Sequence, residues 1–371
     1  MSLDELPVRD DLRGKKPYGA PQIDVSVQLN VNENTHPVPV EVADDIARSV
    51  RDALMTINRY PDREFTALRT ALATYVNDGD AQTGSHELAY GSGATIDNLW
   101  AANGSNEVLQ QILQAFGGPG RTVLGFPPTY SMYPLLAEGT GTRWVTASRG
   151  ANFVITPDIA VAAIRAHQPD IVFFCAPNNP TGTPLDLDVV RAAYDAFDGI
   201  VVVDEAYHEF MPDSQPRATT LLQGRPRLLV SRTMSKAFAF AGARVGYLIA
   251  DPAAVDALRL VRLPYHLSAI TQAAATAALR HTPSMLAMVD DIREQRDRLV
   301  AELTALGYDA HESHANFVLF GGVDNPQATF RALLEHDIII RDVGIPHSLR
   351  VTAGTRDETS AFLTALAEIG R

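Results

Sequence analysis

The strongest constraint on the fold is the alternation of short apolar segments with helical segments between residues 99 and 250. Continuous apolar strands separated by helices predict an α/β fold, with a mostly parallel sheet covered on both faces. The ligand site of such a sheet lies beyond the carboxyl ends of its strands. The candidate strands are Leu99–Ala102, Arg121–Phe126, Thr142–Ala147, Ile171–Cys175, Ile200–Asp204, Leu228–Ser231 and Val245–Ala250.

Helical periodicity places helices between these strands and on either side of them along the chain. A stretch rich in Gly, Ser and Thr predicts a loop at Gly79–Thr95. After Pro264, two long helices precede short strands at Asn316–Phe320, Ile338–Arg341 and Leu349–Thr352. The candidate helices are Glu41–Thr56, Glu64–Asp78, Asn106–Phe116, Pro157–His167, Leu187–Phe197, Pro252–Leu260, Ala269–Arg280 and Ser284–Leu306.

The length of 371 residues suggests two domains, because one compact core rarely grows that large. We predict a large domain over residues 41–265 and a smaller α+β domain over residues 266–371. Residues 1–40 have no core of their own, so we expect them to form an arm that packs on the small domain.

Composition excludes several classes of protein. The net charge of −13 and the absence of basic runs argue against a nucleic-acid partner. The single cysteine, Cys175, rules out a disulfide framework and a cysteine-rich metal site, and we expect no metal. No stretch is apolar enough to span a membrane, and the N-terminal residues are polar, so we expect a cytoplasmic protein.

Lysine is rare in this chain. Of 31 basic residues only Lys15, Lys16 and Lys236 are lysines, and the other 28 are arginines. Arginine replaces lysine as a surface cation, but it cannot attack a carbonyl as a primary amine. Lys236 stands alone in MSKAFAFAGAR. This makes it a candidate for a chemical role, although composition alone is equally compatible with a surface lysine at the start of a helix.

Four polar motifs lie at the ends of predicted strands or in the turns after them. They are NGSNE from Asn103, PNNPTG from Pro177, DEAY from Asp204 and SRTMSK from Ser231. Each motif alone is ordinary turn chemistry or a solvated strand end. All four at one edge of one sheet predict a ligand site there.

These motifs resemble those of the fold-type I aminotransferases, which depend on pyridoxal 5′-phosphate (PLP), and most closely those of the histidinol-phosphate aminotransferase family. The resemblance covers nearly the whole chain and is highly specific for the fold and less specific for the substrate. It is carried by RGKKPYGAP, LNVNEN, NRYPD, AANGSNEVLQQ, APNNPTG, VVVDEAY, SRTMSKAFAFAGARVGY, IIIRDVG and LRVTAGT.

The resemblance implies roles for residues around the cofactor ring. Lys236 would hold PLP as a Schiff base and then move a proton between the substrate Cα and the cofactor C4′. Asp204 would face the pyridine nitrogen and keep the ring protonated. Asn179 and Tyr207 would bond the 3-oxygen, and Tyr130 would stack on the ring, although Tyr130 also suits an ordinary core position.

The resemblance also implies a phosphate site. Ser105 and Asn106 open a helix, whose free N–H groups favour an anion. Thr233, Ser235 and Arg244 would complete the site. A sixth residue, Tyr60 in NRYPD, matches a tyrosine that reaches the phosphate of the neighbouring subunit in this family. The resemblance therefore implies a homodimer with shared active sites.

Four residues are candidates for substrate binding. An arginine near Arg350 holds a substrate carboxylate in fold-type I aminotransferases, and in histidinol phosphate the phosphate would take its place. A second arginine, Arg341, suits a dianion, although it could also be a surface charge at a strand end. Tyr18 and Asn32 would close the site from the N-terminal segment.

The resemblance implies amino-group transfer between histidinol phosphate and 2-oxoglutarate or glutamate, in histidine biosynthesis. An aromatic amino-acid aminotransferase on the same scaffold stays open, because the sequence does not forbid an aryl ring in place of imidazole. A PLP-dependent decarboxylase of a phosphorylated amino acid is a third hypothesis. A non-catalytic role fits least well, because Lys236 and Asp204 are both present.

Overall fold

The computed structural model describes residues 5–15, 17, 19, 21–82 and 93–370. Tyr18 and residues 83–92 of the predicted loop lie outside this range. In chain order the elements are β1 (Val27–Gln28), α1 (Val40–Leu54), α2 (Thr66–Gln82), β2 (Leu99–Ala102), α3 (Ser105–Phe116), β3 (Thr122–Gly125), α4 (Met132–Gly139), β4 (Arg143–Thr146), α5 (Pro157–His167), β5 (Ile171–Cys175), α6 (Leu187–Ala196), β6 (Ile200–Asp204), β7 (Leu228–Thr233), β8 (Gly246–Ile249), α7 (Pro252–Val261), α8 (Ala269–Arg280), α9 (Thr282–Ala305), β9 (Asp309–Ala310), β10 (Phe317–Gly321), α10 (Pro326–Glu335), β11 (Ile338–Ile339), β12 (Leu349–Thr352) and α11 (Arg356–Ile369).

A seven-stranded sheet with the order β2-β8-β7-β6-β5-β3-β4 forms the centre of the molecule. All its strands run parallel except β8, which is antiparallel to both of its neighbours. Every residue of β2, β3, β5, β7 and β8 is buried, which is why these segments are mostly apolar in the sequence. The predicted mostly parallel α/β fold is confirmed.

The sequence patterns located all seven strands of this sheet, three of them to the residue and the others with differences of at most two residues at an end. One predicted boundary was wrong, and one helix was missed. The helix α2 continues through Gly79 to Gln82, where a loop was predicted to begin. The helix α4 was missed, because it is short and contains Pro134 in its first turn.

The C-terminal part of the chain forms a second, three-stranded sheet with the order β12-β10-β9. The N-terminal segment runs beside it, because β1 pairs in parallel with β11. Two further backbone bonds extend this contact, from Leu29 to Ile339 and from Thr352 to Leu29. The domain boundaries at residues 40 and 265 stay a prediction. Within the described part of the chain, no helix is both long and apolar enough to cross a membrane.

Candidate active site

A cavity of about 360 Å³ opens at the carboxyl edge of the parallel strands. Its wall contains residues that follow β2, β5, β6 and β7, together with residues from the N-terminal segment and from the C-terminal sheet. Of the predicted site residues within the described ranges, only Tyr60 is not part of this wall. The wall includes Asn32, Ser105, Asn106, Tyr130, Asn179, Asp204, Tyr207, Thr233, Ser235, Lys236, Arg244, Arg341 and Arg350.

Lys236 lies just past the end of β7 and is partly buried at the cavity wall. Its Nζ donates a hydrogen bond to the backbone carbonyl of Val31, at 3.1 Å. Burial, together with the positive charges of Arg350 and Arg244, lowers the pKa of Lys236 to about 8. Roughly a tenth of this amine is therefore neutral at pH 7, far more than for an ordinary lysine, and the neutral amine is the nucleophilic form.

Asp204 is the last residue of β6, and its side chain is buried. Its Oδ2 accepts a hydrogen bond from the Tyr133 hydroxyl, at 2.9 Å. Its Oδ1 has no hydrogen-bond partner among the described residues. Burial raises the pKa of Asp204 to about 6, against the opposing bonds from Tyr133 and the Ala206 backbone. The carboxyl group is thus ionised at neutral pH and has one oxygen to offer.

Tyr207 lies at the centre of a chain of hydrogen bonds. Its hydroxyl oxygen accepts from the side-chain amides of Asn32, at 2.9 Å, and Asn179, at 3.2 Å. The Arg350 guanidinium donates to the other end of the Asn179 amide, at 2.6 Å. These bonds fix the amide orientation and occupy the acceptor sites of the phenol, so its hydrogen is available for an acceptor in the cavity. The predicted substrate residue Asn32 therefore also contacts Tyr207.

The amino end of α3 and Arg244 form a site suited to an anion. The N-cap residue of α3 is Gly104, which has a φ of 86° and no side chain that could cap the helix. A Cβ on Gly104 would lie 2.6 Å from Arg244 Nη2, so glycine permits this close approach of the guanidinium. A Cβ on Gly246 would lie 2.1 Å from the backbone nitrogen of Ser105. Helix N–H groups and a guanidinium together favour a phosphate here.

Arg341 and Arg350 lie opposite each other in an isolated antiparallel bridge. The Arg350 side chain is buried, and its Nη2 donates to the Asn30 carbonyl, at 2.9 Å. Arg341 is half-buried at the cavity wall. Within the described ranges, the Arg341 guanidinium has no hydrogen-bond or ion-pair partner. The two arginines thus differ, since Arg350 is held in place and Arg341 is available to a ligand.

Sequence patterns missed several residues of this site. Val31 contributes a backbone carbonyl, which no side-chain pattern could indicate. Tyr133 follows Tyr130 by three residues, and its backbone N–H donates to the Tyr130 carbonyl, at 3.2 Å, so its closeness to a predicted site residue was a usable signal. A larger cavity of about 600 Å³ contains Tyr75, Glu209 and Arg293 in its wall and none of the predicted site residues.

The residues of the cavity fit PLP. The unpartnered Asp204 Oδ1 suits the protonated pyridine nitrogen, and the α3 end with Arg244 suits the phosphate. Lys236 would supply an amine able to bind the aldehyde carbon. No cluster of His, Cys, Asp or Glu that could hold a metal ion occurs among the described residues. Fold and site together define a PLP-dependent enzyme of fold type I.

Comparison with known proteins supports this class. The family profile "Aminotransferase class I and II" matches residues 24–366. The histidinol-phosphate aminotransferase of Paenarthrobacter aurescens is 58% identical over 98% of this chain and 95% of its own length. That of Mycolicibacterium smegmatis is 54% identical over 100% of this chain and 95% of its own length.

A solved structure also has this fold. The histidinol-phosphate aminotransferase of Sinorhizobium meliloti, in complex with PLP, superposes with a TM-score of 0.79 over 93% of this chain and 91% of that chain. At 24% identity this likeness supports the fold alone. Because of the full-length matches above, the chain belongs to the class I and II aminotransferases and, within them, to the histidinol-phosphate aminotransferase family.

Proposed function

We propose that the protein transfers the amino group of L-histidinol phosphate to 2-oxoglutarate, a step of histidine biosynthesis. The main support is Arg341, whose guanidinium has no partner within the described ranges and lies beside the anchored Arg350 at the cavity wall. Two guanidinium groups are better matched to a phosphate dianion than to a single carboxylate, which has only one negative charge. Full-length relatives that carry the name of this activity add to the support.

Bound PLP would supply a conjugated ring that accepts an electron pair from the substrate's α-carbon. Around it, Asp204 would hold the proton of the pyridine nitrogen, because its ionised carboxylate has one oxygen without a partner. Tyr207 would donate its hydrogen to the 3-oxygen, as its acceptor sites are occupied by two amides. The Tyr130 ring would cover one face, with its hydroxyl donating to Asn106, at 3.1 Å.

The phosphate of the cofactor would be bound at the amino end of α3, by Ser105, Asn106 and Arg244. On the other side, the Thr233 hydroxyl lies within hydrogen-bond distance of the Ser235 hydroxyl, at 3.0 Å, and of the Val245 carbonyl, at 3.1 Å. Lys236 would take the proton from the substrate Cα and deliver it to the cofactor carbon. Its lowered pKa suits this exchange near neutral pH.

Both substrates would use one site in turn, since amino transfer occurs in two half-reactions. The same arginines would therefore receive the phosphate of histidinol phosphate and a carboxylate of 2-oxoglutarate. Arg350 is fixed by Asn179 and Asn30, so it offers a constant anchor. Arg341 would add the second contact that a dianion needs.

We expect Arg341→Ala to lower kcat/KM for histidinol phosphate roughly 10- to 100-fold, the effect of one charge-assisted bond. Turnover of phenylalanine should fall less, because its carboxylate relies on Arg350. The measurement compares both donors with 2-oxoglutarate as acceptor. Arg331→Ala is the matched control, because Arg331 is an exposed arginine beside Arg341 in another cavity. A wild type that prefers phenylalanine would favour an aromatic aminotransferase, and release of carbon dioxide would indicate the decarboxylase.

We further propose a homodimer in which Tyr60 reaches the phosphate site of the partner subunit. Tyr60 is 80% exposed, stacks on Tyr265 at 4.5 Å and does not touch the cavity of its own chain. Met55, Ile57 and Leu263, which are close to these two tyrosines along the chain, are exposed apolar side chains as well. Exposed apolar side chains that are grouped on a surface favour association. The cytoplasmic location stays a prediction.

Tyr60→Phe should weaken PLP retention roughly tenfold, because it removes one hydrogen bond to a phosphate. Equilibrium dialysis measures the retention, and Tyr194→Phe, at a tyrosine on α6, serves as the control.

Leu263→Glu should shift the molecular mass from dimer to monomer in sedimentation experiments. Unchanged retention in Tyr60→Phe would argue against the shared site, and a monomeric wild type would argue against the dimer.

A further inference from the structure

Tyr133 is a buried residue in the first turn of α4, behind the cavity. Its ring packs edge-on against Phe173 at 5.1 Å and against Tyr130 at 5.4 Å. Its hydroxyl donates to Asp204 Oδ2, at 2.9 Å. The ring is thus held by aromatic neighbours, and the hydroxyl has a fixed position relative to Asp204.

This contact makes the two oxygens of Asp204 different. Oδ2 is bound to Tyr133, whereas Oδ1 is buried without a partner among the described residues, and Asp204 contributes to the cavity wall. A carboxylate without such a contact could rotate and exchange its oxygens. Because a phenol donates only one hydrogen, Tyr133 holds one oxygen and leaves the other available.

The neighbouring thiol does not replace Tyr133 in this contact. Cys175 lies beside Asp204 in the sheet register, but its Sγ donates to the Pro177 carbonyl, at 3.4 Å. Burial and the charge of Asp204 raise the pKa of Cys175 to about 12, so the thiol stays neutral. The same two causes raise the pKa of Tyr133 well above its usual value, so its hydroxyl keeps the hydrogen that it donates.

We propose that Tyr133 is a positioning residue that fixes the Asp204 carboxylate so that its second oxygen faces the pyridine nitrogen of PLP. The proposal rests on the proposed function, because it assumes that Asp204 faces this nitrogen. Tyr133 touches neither cofactor nor substrate and acts through Asp204. Its loss should therefore weaken only the interaction that depends on the pyridine nitrogen.

The test compares the affinity of the apoenzyme for PLP and for its 1-deaza analogue, in which carbon replaces the pyridine nitrogen. Wild type should prefer PLP. Tyr133→Phe keeps the ring packing, and we expect it to reduce this preference roughly tenfold, the effect of one bond to a charged group. Affinity for the analogue should change little. This readout measures binding and does not require turnover.

Tyr75→Phe is a matched control. Tyr75 is also buried, and its hydroxyl donates to a buried carboxylate, Glu209 Oε1, at 3.1 Å. That pair lies at the larger cavity and not at the proposed PLP site. We expect Tyr75→Phe to leave the preference for PLP at the wild-type value, even where it lowers the melting temperature as much as Tyr133→Phe does.

A second measurement combines Tyr133→Phe with Asp204→Asn. If Tyr133 acts through Asp204, the double variant should show the same preference as Asp204→Asn alone. An unchanged preference in Tyr133→Phe, or an equal loss of affinity for both cofactors, would overturn the proposal and leave Tyr133 a packing residue. A wild type that binds PLP without preferring it over the analogue would overturn the role of Asp204 as well. A wild type that binds no PLP would overturn the proposed function itself.

Discussion

Lys236→Ala is expected to lower the rate of amino transfer roughly 10⁴-fold or more, because it removes the proton carrier at the substrate Cα and the amine that binds PLP. No other lysine can substitute for it, since the only others are Lys15 and Lys16 near the N-terminus. The variant should also lose the covalent link that borohydride reduction makes between PLP and the wild-type chain. Single-turnover absorbance with histidinol phosphate and mass spectrometry of the reduced protein measure the two effects.

The control for this prediction is Lys15→Ala, which should react at the wild-type rate because Lys15 contacts Glu138 at the surface. Small primary amines added to Lys236→Ala should restore part of the rate, since they can move the same proton. Turnover above about one hundredth of the wild-type rate, a smaller loss than general acid–base catalysis usually accounts for, would contradict the role of Lys236.

Asp204→Asn is expected to slow the first half-reaction on the order of 10³-fold. The Tyr133 hydroxyl donates to one side-chain atom at this position, so it would hold the amide oxygen of the asparagine. The amide nitrogen would then face the cavity, and a donor there favours a neutral pyridine, which accepts electrons poorly. The measurement is the single-turnover rate with histidinol phosphate.

A matched control is Glu209→Gln, which neutralises a buried carboxylate that is also bound by a tyrosine hydroxyl, outside the cavity. We expect the rate of its half-reaction to stay within about threefold of wild type, because a change at a residue outside the cavity acts on stability and not on the reacting atoms. An Asp204→Asn rate similar to that of Glu209→Gln would exclude Asp204 as the partner of the pyridine nitrogen.

The fold was largely predictable because five of the seven strands of the central sheet are buried along their whole length, and most of their residues are apolar. Ile171–Cys175 and Ile200–Asp204 were predicted to the residue for that reason. The end of α2 was not predictable, since Gly79 and Asp80 are typical loop residues that here continue a helix. Local propensity is weak where packing against distant segments stabilises the helix.

The site divides in the same way. Side chains such as Asp204 and Lys236 follow strands, and the parallel arrangement alone brings them to one edge. Val31 and Tyr133 come from other parts of the chain, and their contacts depend on how those parts pack. The difference between Arg341 and Arg350 also depends on packing, because Asn179 and the Asn30 backbone are distant in sequence from both.

The amino-acid sequence by itself determined the class of fold, the edge of the sheet at which the polar motifs meet and the one lysine that stands apart from the N-terminal pair. These follow from local patterns, since burial sets the strand composition and parallel strands share one edge. The tertiary structure alone decided the strand order, the antiparallel direction of β8 and the different contacts of the two oxygens of Asp204. These depend on contacts between residues far apart along the chain, and a local pattern of residues does not specify which distant segments will pack together.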